Sequence, residues 1–354
     1  MVNLTQILIS SEPELTNLIG KFIDILYGWI GNFGWTVVVF TIFLKILLSP
    51  LDIWQKHTML KNNRAMKVIT PELEKLKKTY QNAPDVLQQK QMELYKKNGY
   101  SMMGGCLPAL LTIVIFFVVF AGFNAAVRYE NECIVDSLTT QYVELTKDGT
   151  ISTEELNEKM VAAYDAEKES WLWVKNVFVS DTSANPVPTL NKYVGRGLGE
   201  IGGKIPDQMT MLKVLQPDYD NGYDAVLMPA IEAYNKTSTF NLAHWNGYFI
   251  LPFLSILLSV LSVKIMKGTQ PEMPTQNDEN GNPVKNGQGM MKAMNWLMPA
   301  MMGVFALFYS AAFCIYMVTN SLITLIFNIV FNKISKKKEA AEEDARLAAT
   351  FKRK

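Results

Sequence analysis

Long apolar runs separated by polar segments dominate the pattern along the chain. Residues 34–51 (GWTVVVFTIFLKILLSPL), 106–127 (CLPALLTIVIFFVVFAGFNAAV) and 247–266 (GYFILPFLSILLSVLSVKIM) each come close to the ~20 residues that cross a bilayer as a helix. The run at 293–331 is too long for one span and too short for two joined by a long loop. Its small residues Ser310-Ala311-Ala312 offer a tight turn, which divides it into spans at 293–309 and 311–331. The pattern predicts an all-α polytopic membrane protein with a bundle of five transmembrane helices, a cytoplasmic helical hairpin and an inserted extracytoplasmic domain. Pro50 is expected to end the first span, five residues after Lys45.

The segments between the spans carry patterns of their own. Within 1–33, Leu15, Leu18, Phe22, Leu26 and Trp29 recur at helical spacing, with Ser11 as a cap and Pro13 near the helix start. This predicts an amphipathic helix lying in the outer interface; the alternative is a degenerate signal sequence. In 52–105, Ile69, Leu73, Leu76 and Tyr80 form a helical stripe, with Thr70 as a cap before Pro71. The tract QNAPD (81–85) breaks it, and a second helical stretch runs to Lys97 before Asn98-Gly99. An antiparallel helical hairpin with basic outer faces is expected there. Segment 128–246 is long enough for a small domain and contains no P-loop, zinc pattern or nucleophile arrangement. Residues 267–292 read as a Pro/Gly/Asn-rich flexible loop, and 332–354 as a basic tail. That tail suits contact with anionic lipid or RNA, or simply anchors the topology.

Charge orients the spans. Segment 52–105 holds ten Lys/Arg against five Asp/Glu, and 332–354 eight against four. Segment 129–245 holds nine against eighteen. Lys and Arg collect on the cytoplasmic side, so 52–105, 267–292 and the C-terminus are expected inside, with the acidic segment and the N-terminus outside. Cys106 and Cys314 fall in spans, which leaves Cys133 without a disulfide partner, and His57 and His244 fall on opposite sides. No metal site and no cofactor is expected.

Polar residues inside spans are costly, so their placement is informative. Lys45 lies roughly 7–8 Å from the expected helix end at about 1.5 Å per residue. It either snorkels to the cytoplasmic surface or serves a function. Ser255, Ser259 and Ser262 fall on one face of the third span, Thr112 lies early in the second, and Asn320 lies within the last. Such hydroxyls commonly join helix to helix. Together with an unpaired cation they also fit a wet cavity open to the cytoplasm.

Several motifs resemble the YidC/Oxa/Alb family of membrane protein insertases. YKKNGYSMMGGCLPALL (95–111) resembles the stretch leading into that family's second span, and GWTVVVFTIFLKILLSPL its first, where a cation stands five residues before the proline. WLWVKNVFVSD (171–181) resembles the extracytoplasmic piece before the third span, YFILPFLSILLSVLS that span, and LMPAMMGVFALFYSAAFCIYMVTNSL the last hairpin. The chain departs from the family at defined points. Lys45 replaces the usual arginine, Thr112 a common glutamine and Ser310 the hairpin proline, and roughly 65 residues separate 181 from 247.

The resemblance implies a non-enzymatic insertase in a bacterial plasma membrane. It would pass hydrophilic flanks of nascent membrane proteins through a cytoplasm-open groove lined by Lys45, Thr112, Ser255, Ser259, Ser262 and Asn320. The hairpin tip at Asn82, Pro84 and Asp85 would receive the substrate. Nascent membrane proteins and membrane lipids are the implied partners, with the ribosome and the Sec translocon beside them; no nucleic-acid sequence recognition and no catalytic residue is expected. The competing reading is a small-anion transporter or channel using the same cavity, but the inverted repeats and interrupted helices of that class are not evident in the sequence. A membrane-bound hydrolase would need intramembrane His, Asp or Glu, and the expected spans hold none.

Overall fold

The computed structural model describes residues 15–81, 83–100, 102–184, 186–187, 245–266 and 306–351, with isolated positions at 229–230, 232–233, 276–277, 283–284 and 303. Its elements are α1 (Leu18–Ile30), α2 (Phe33–Thr79), α3 (Pro84–Lys97), α4 (Met102–Thr146), α5 (Thr153–Glu167), α6 (Ile250–Met266) and α7 (Ala311–Phe351). Two-residue strands, β1 (Gln276–Asn277) and β2 (Pro283–Val284), pair antiparallel within the expected 267–292 loop. α2, Ile113–Thr146 of α4 and Ala311–Lys338 of α7 are long and apolar enough to cross a membrane, and Ile250–Ile265 of α6 is a shorter apolar helix. The expected span at 293–309 lies mostly outside the described residues.

The helices run further than their apolar segments. Pro50 does not end the first one, because α2 continues through both Pro50 and Pro71 to Thr79. Both prolines sit on the exposed side of the helix. The carbonyl of Ile46, which loses its usual donor at Pro50, accepts the Ser49 hydroxyl at 2.8 Å instead. Thr70 is likewise no cap: it lies inside α2 and its hydroxyl donates to the Met66 carbonyl. The cap of α1 is Asn17, whose Oδ1 accepts from the N–H groups of Ile19 and Gly20; Ser11 lies outside the described residues. α4 carries the second apolar run on as a polar helix to Thr146, past residue 127 where the second span was expected to end.

The chain divides into two compact units. The first comprises 1–42, 116–255 and 302–319. α1 packs closely on α4 because Gly122 lets Ile19 and Asn17 approach its backbone. The opposite side of α1 leaves Leu18, Ile25 and Trp29 exposed, Leu18 at 84% and Trp29 at 81%. Phe33 stacks edge-on against Phe178 and Phe123, and Phe313 joins Phe120 and Phe123.

The segment after α5 fastens this unit. The Glu169 carboxylate accepts from the Tyr27 hydroxyl, the Asn32 amide and the first N–H of α2, at Phe33. Val179 and Val177 offer their carbonyls to the N–H groups of Ala311 and Ala312, at 2.8 and 2.7 Å. Those residues open α7 and are fully buried, so their N–H groups need such partners. Asn246 closes the arrangement. Its amide donates to the carbonyls of Asn176, Val179 and Ser180, and its Oδ1 accepts from the Asn176 N–H.

The second unit comprises 43–115, 256–301 and 320–354. Its helical hairpin pairs the end of α2 with α3 around Met66, Ile69, Leu73 and Leu94, flanked by Leu76, Tyr95 and Tyr100. Pro84 and Asp85 open α3, and the Asn98 amide closes it on the Leu94 carbonyl before Gly99 turns left-handed at φ 66°. Outward-facing apolar residues recur at helical spacing on α2 (Ile46, Ile53) and α7 (Leu322, Ile326, Ile329), as lipid-facing helices require.

The ends of the 182–246 insertion meet: the Gly247 N–H donates to the Asp181 carbonyl, and the Asn246 N–H to that of Ser183. Replacing 188–244 with a short Gly/Ser linker is expected to leave the first unit's thermal unfolding and protease resistance unchanged; collapse of both would show that the insertion holds the unit together.

Asp181 supplies a pH test. Its side chain is fully buried against Gly247, with neither oxygen in a hydrogen bond of normal geometry. Burial pushes its pKa up from 3.8 to about 6, offset in part by the N–H groups of Leu251 and Phe249. A carboxyl raised on folding stabilises fully below its unfolded pKa, and that contribution is lost as pH rises through about 6. The melting temperature should therefore rise as pH falls from 7.5 to 5, and Asp181→Asn should lessen that rise.

Candidate functional site: a polar lattice across three helices

Three helices of the second unit present polar side chains to one another. On α2, Lys45, Asp52 and Lys56 stand at i, i+7 and i+11, which places them on one face. On α7, Ser321, Asn328 and Asn332 repeat the same spacing. Ser259 and Ser262 of α6 complete the set.

The contacts connect these rows. The Ser259 and Ser321 hydroxyls lie 3.4 Å apart, the Asn328 amide donates to the Ser262 hydroxyl at 2.8 Å, and the Asn332 amide donates to the Ile265 carbonyl at 3.1 Å. Partners advance in the same direction along both helices, so α6 and α7 run parallel. The Lys56 ammonium donates to Asn328 Oδ1 and lies over the rings of Phe327 and Phe331, at 4.9 and 5.3 Å from their centroids. Lys45 pairs with Asp52 Oδ2 at 3.3 Å. Asp52 in turn attracts Lys56, whereas Lys45 repels it. The result is two linked sets, Lys45 with Asp52 and Lys56 through Asn328 to Ser262, with Asp52 and Lys56 four residues apart on one face of α2.

This arrangement corrects one expectation. Lys45 is not an unpaired cation, because its stem runs along the helix to a carboxylate of the same helix. Asp52 escaped notice because Pro50 was read as the helix end, although the i, i+7, i+11 spacing signals the shared face. Lys56 was missed with it, and on α7 Asn328 and Asn332 were missed as well, whereas Ser321 falls among the polar residues of the last expected span.

The remaining expected residues fall in different places. Ser259 and Ser262 serve as helix-to-helix contacts. Ser255 belongs to the first unit, where its buried hydroxyl donates to the Pro252 carbonyl. Asn320 adjoins Ser321, and its carbonyl accepts the Thr324 hydroxyl. Thr112 lies in α4 with its side chain outside the described set, and Asn82 lies outside it altogether. Pro84 and Asp85 start α3, and Asp85 borders a shallow surface trough shared with Gln88, Gln89, Met92, Glu93 and Lys96. Among the described residues no group of three or more His, Cys, Asp or Glu is placed to hold a metal ion.

Asn328 is fully buried and serves two partners at once. Asn328→Ala should destabilise the protein by about 1–3 kcal/mol, the cost of leaving a buried donor or acceptor unmatched. Unfolding in mixed micelles measures it; an unchanged midpoint would show that water or lipid replaces the amide.

Comparison with known proteins places this geometry in a context. The family described as 60Kd inner membrane protein matches residues 25–339. A membrane protein insertase YidC from Helicobacter pylori (strain ATCC 700392 / 26695) is 36% identical over 132 residues, 34% of this chain and 23% of that protein. Its namesake from Fusobacterium nucleatum is 36% identical over 115 residues, 31% of this chain and 54% of the relative. One from Caldanaerobacter subterraneus subsp. tengcongensis is 38% identical over 102 residues, 29% and 48% of the two chains. The matched segments thus span at most about half the length of these relatives.

Proposed function

This chain belongs to the 60Kd inner membrane protein family, and from that membership we propose that it is a membrane protein insertase of a bacterial plasma membrane. It moves hydrophilic flanks of nascent membrane proteins across without nucleotide hydrolysis and releases their apolar segments into lipid. The physical obstacle is the flank, since one charge at the bilayer centre costs about 2.5–3.5 kcal/mol on insertion scales. A path lined by polar groups lowers that cost.

The observation that carries the reading is the row Lys45, Asp52 and Lys56 on one face of α2, with Lys56 joined to Asn328 and Ser262, which brings two ammonium groups and a carboxylate onto apolar helices. In this reading the groove opens to the cytoplasm, with the N-terminus outside and the C-terminus inside. Lys45 and Lys56 attract acidic residues of the passing segment. Thr112, Ser259, Ser262 and Asn320 belong to the groove, and Ser259 and Ser262 also hold α6 to α7. The parallel course of α6 and α7 supports a five-span topology, because the chain between them must return to the side it left. The α2–α3 hairpin, with Asn82, Pro84 and Asp85 at its tip, receives substrate, and the basic tail meets the ribosome, with the Sec translocon as a neighbour. α1 lies in the outer interface, as its exposed Leu18, Ile25 and Trp29 suit. The unbroken helices α2 and α7 do not offer the half-helix ends on which transporters build their ion sites.

The test is reconstitution of the full chain into liposomes with a small single-span substrate. Insertion is expected; solute flux without insertion would replace this reading with the transporter. Lys45→Arg should keep insertion. Lys45→Ala should slow substrates with acidic tails about tenfold while sparing neutral ones, and equal rates on both would reduce Lys45 to a partner of Asp52.

A further inference from the structure

The Lys45–Asp52 pair raises a question for an insertase: a cation meant for substrate carboxylates is already occupied by one of its own. We infer that Asp52 is an internal stand-in for the substrate's acidic residue, displaced from Lys45 when such a residue arrives and then taken up by Lys56. The inference rests on the proposed insertase reading and adds the residue that sets its preference for acidic cargo.

Three observations carry it. The pair is neither sealed nor free: the side chains of Lys45 and Asp52 are 20% and 23% exposed, so an incoming carboxylate can reach the ammonium. The contact is a single N···O approach at 3.3 Å to one carboxylate oxygen, not a forked one. A second cation waits on the same face. Lys56 follows Asp52 by four residues on the same face, the favourable order for an acid–base pair on a helix. Lys56 is itself held by Asn328 and two aromatic rings, so the receiving position is fixed in advance.

Exchange raises the number of ion pairs within the site from one to two. Before arrival Asp52 neutralises Lys45; afterwards the substrate neutralises Lys45 and Asp52 neutralises Lys56. Lys56 is met by Asn328 and two aromatic rings before the exchange and by Asp52 after it. A neutral flank has no means of displacing Asp52 and passes without the exchange. The internal pair therefore weakens the apparent affinity for acidic cargo by the fraction of time Lys45 is free.

The experiment uses two versions of one single-span substrate, with an acidic tail and with its Asn/Gln counterpart. It reads the ratio of their insertion into liposomes carrying the full chain, and the ratio of their tail peptides' binding to the same protein in detergent. Asp52→Asn is expected to raise both ratios about fivefold, the scale of a partly exposed ion pair. Asp52→Glu should restore the native ratios, and Lys56→Gln should lower them by locking Asp52 on Lys45. Ratios that Asp52→Asn leaves unchanged or lowers would overturn the inference even while insertion proceeds. A raised peptide ratio with no insertion by the native chain would uphold the exchange and reject the insertase reading instead.

Discussion

A polar group carried on an apolar helix into lipid must find its partner within the protein, because hydrocarbon offers none. The second unit answers this side chain by side chain. Asn328 has no exposed surface, yet its amide serves Ser262 and its carbonyl serves Lys56. Lys56 adds two aromatic faces, and Lys45 takes Asp52. The packing of α6 against α7 depends on the same condition, since its polar contacts also join the two helices.

In the first unit the groups needing partners belong mainly to the backbone. α7 begins among buried residues, so its leading N–H groups are met by carbonyls of 177–179, and α2 begins on the Glu169 carboxylate. A strand-like segment with no regular structure of its own thereby fixes two helix starts. Asn176 and Asn246 hold that segment in place from within, each bonded to the backbone around it. Asp181 departs from this, a buried carboxyl whose oxygens close no hydrogen bond of normal geometry, and this makes it one group through which pH acts.

Apolar length and helical spacing were enough to find the helices. The runs at 34–51, 106–127 and 311–331 lie in helices, as does that at 247–266 from Ile250 on, and the stripe at Ile69, Leu73 and Leu76 does form the hairpin contact. Helix ends were harder to read. A proline normally stops a helix by removing one donor and crowding a carbonyl, but Pro50 and Pro71 face outward and Ser49 repairs the first loss. Misreading that single end hid Asp52 and Lys56 from the list of groove residues. The partners of the serine stripe were beyond reach for another reason: which hydroxyl meets which amide depends on the rotation of α7 against α6, and spacing within one helix does not contain it.

The identity of residue 45 gains a physical reason from its neighbour. Arginine offers a rigid fork that grips a carboxylate at both oxygens, and such a grip on Asp52 would be slow to yield. Lysine offers a compact charge on a flexible stem, suited to holding one oxygen and letting it go. With a second cation four residues beyond Asp52, the carboxylate has somewhere to go as well. On the exchange we infer, a lysine at 45 and an aspartate at 52 are two halves of one arrangement, in which a weaker grip on the internal partner keeps the site open to an external one.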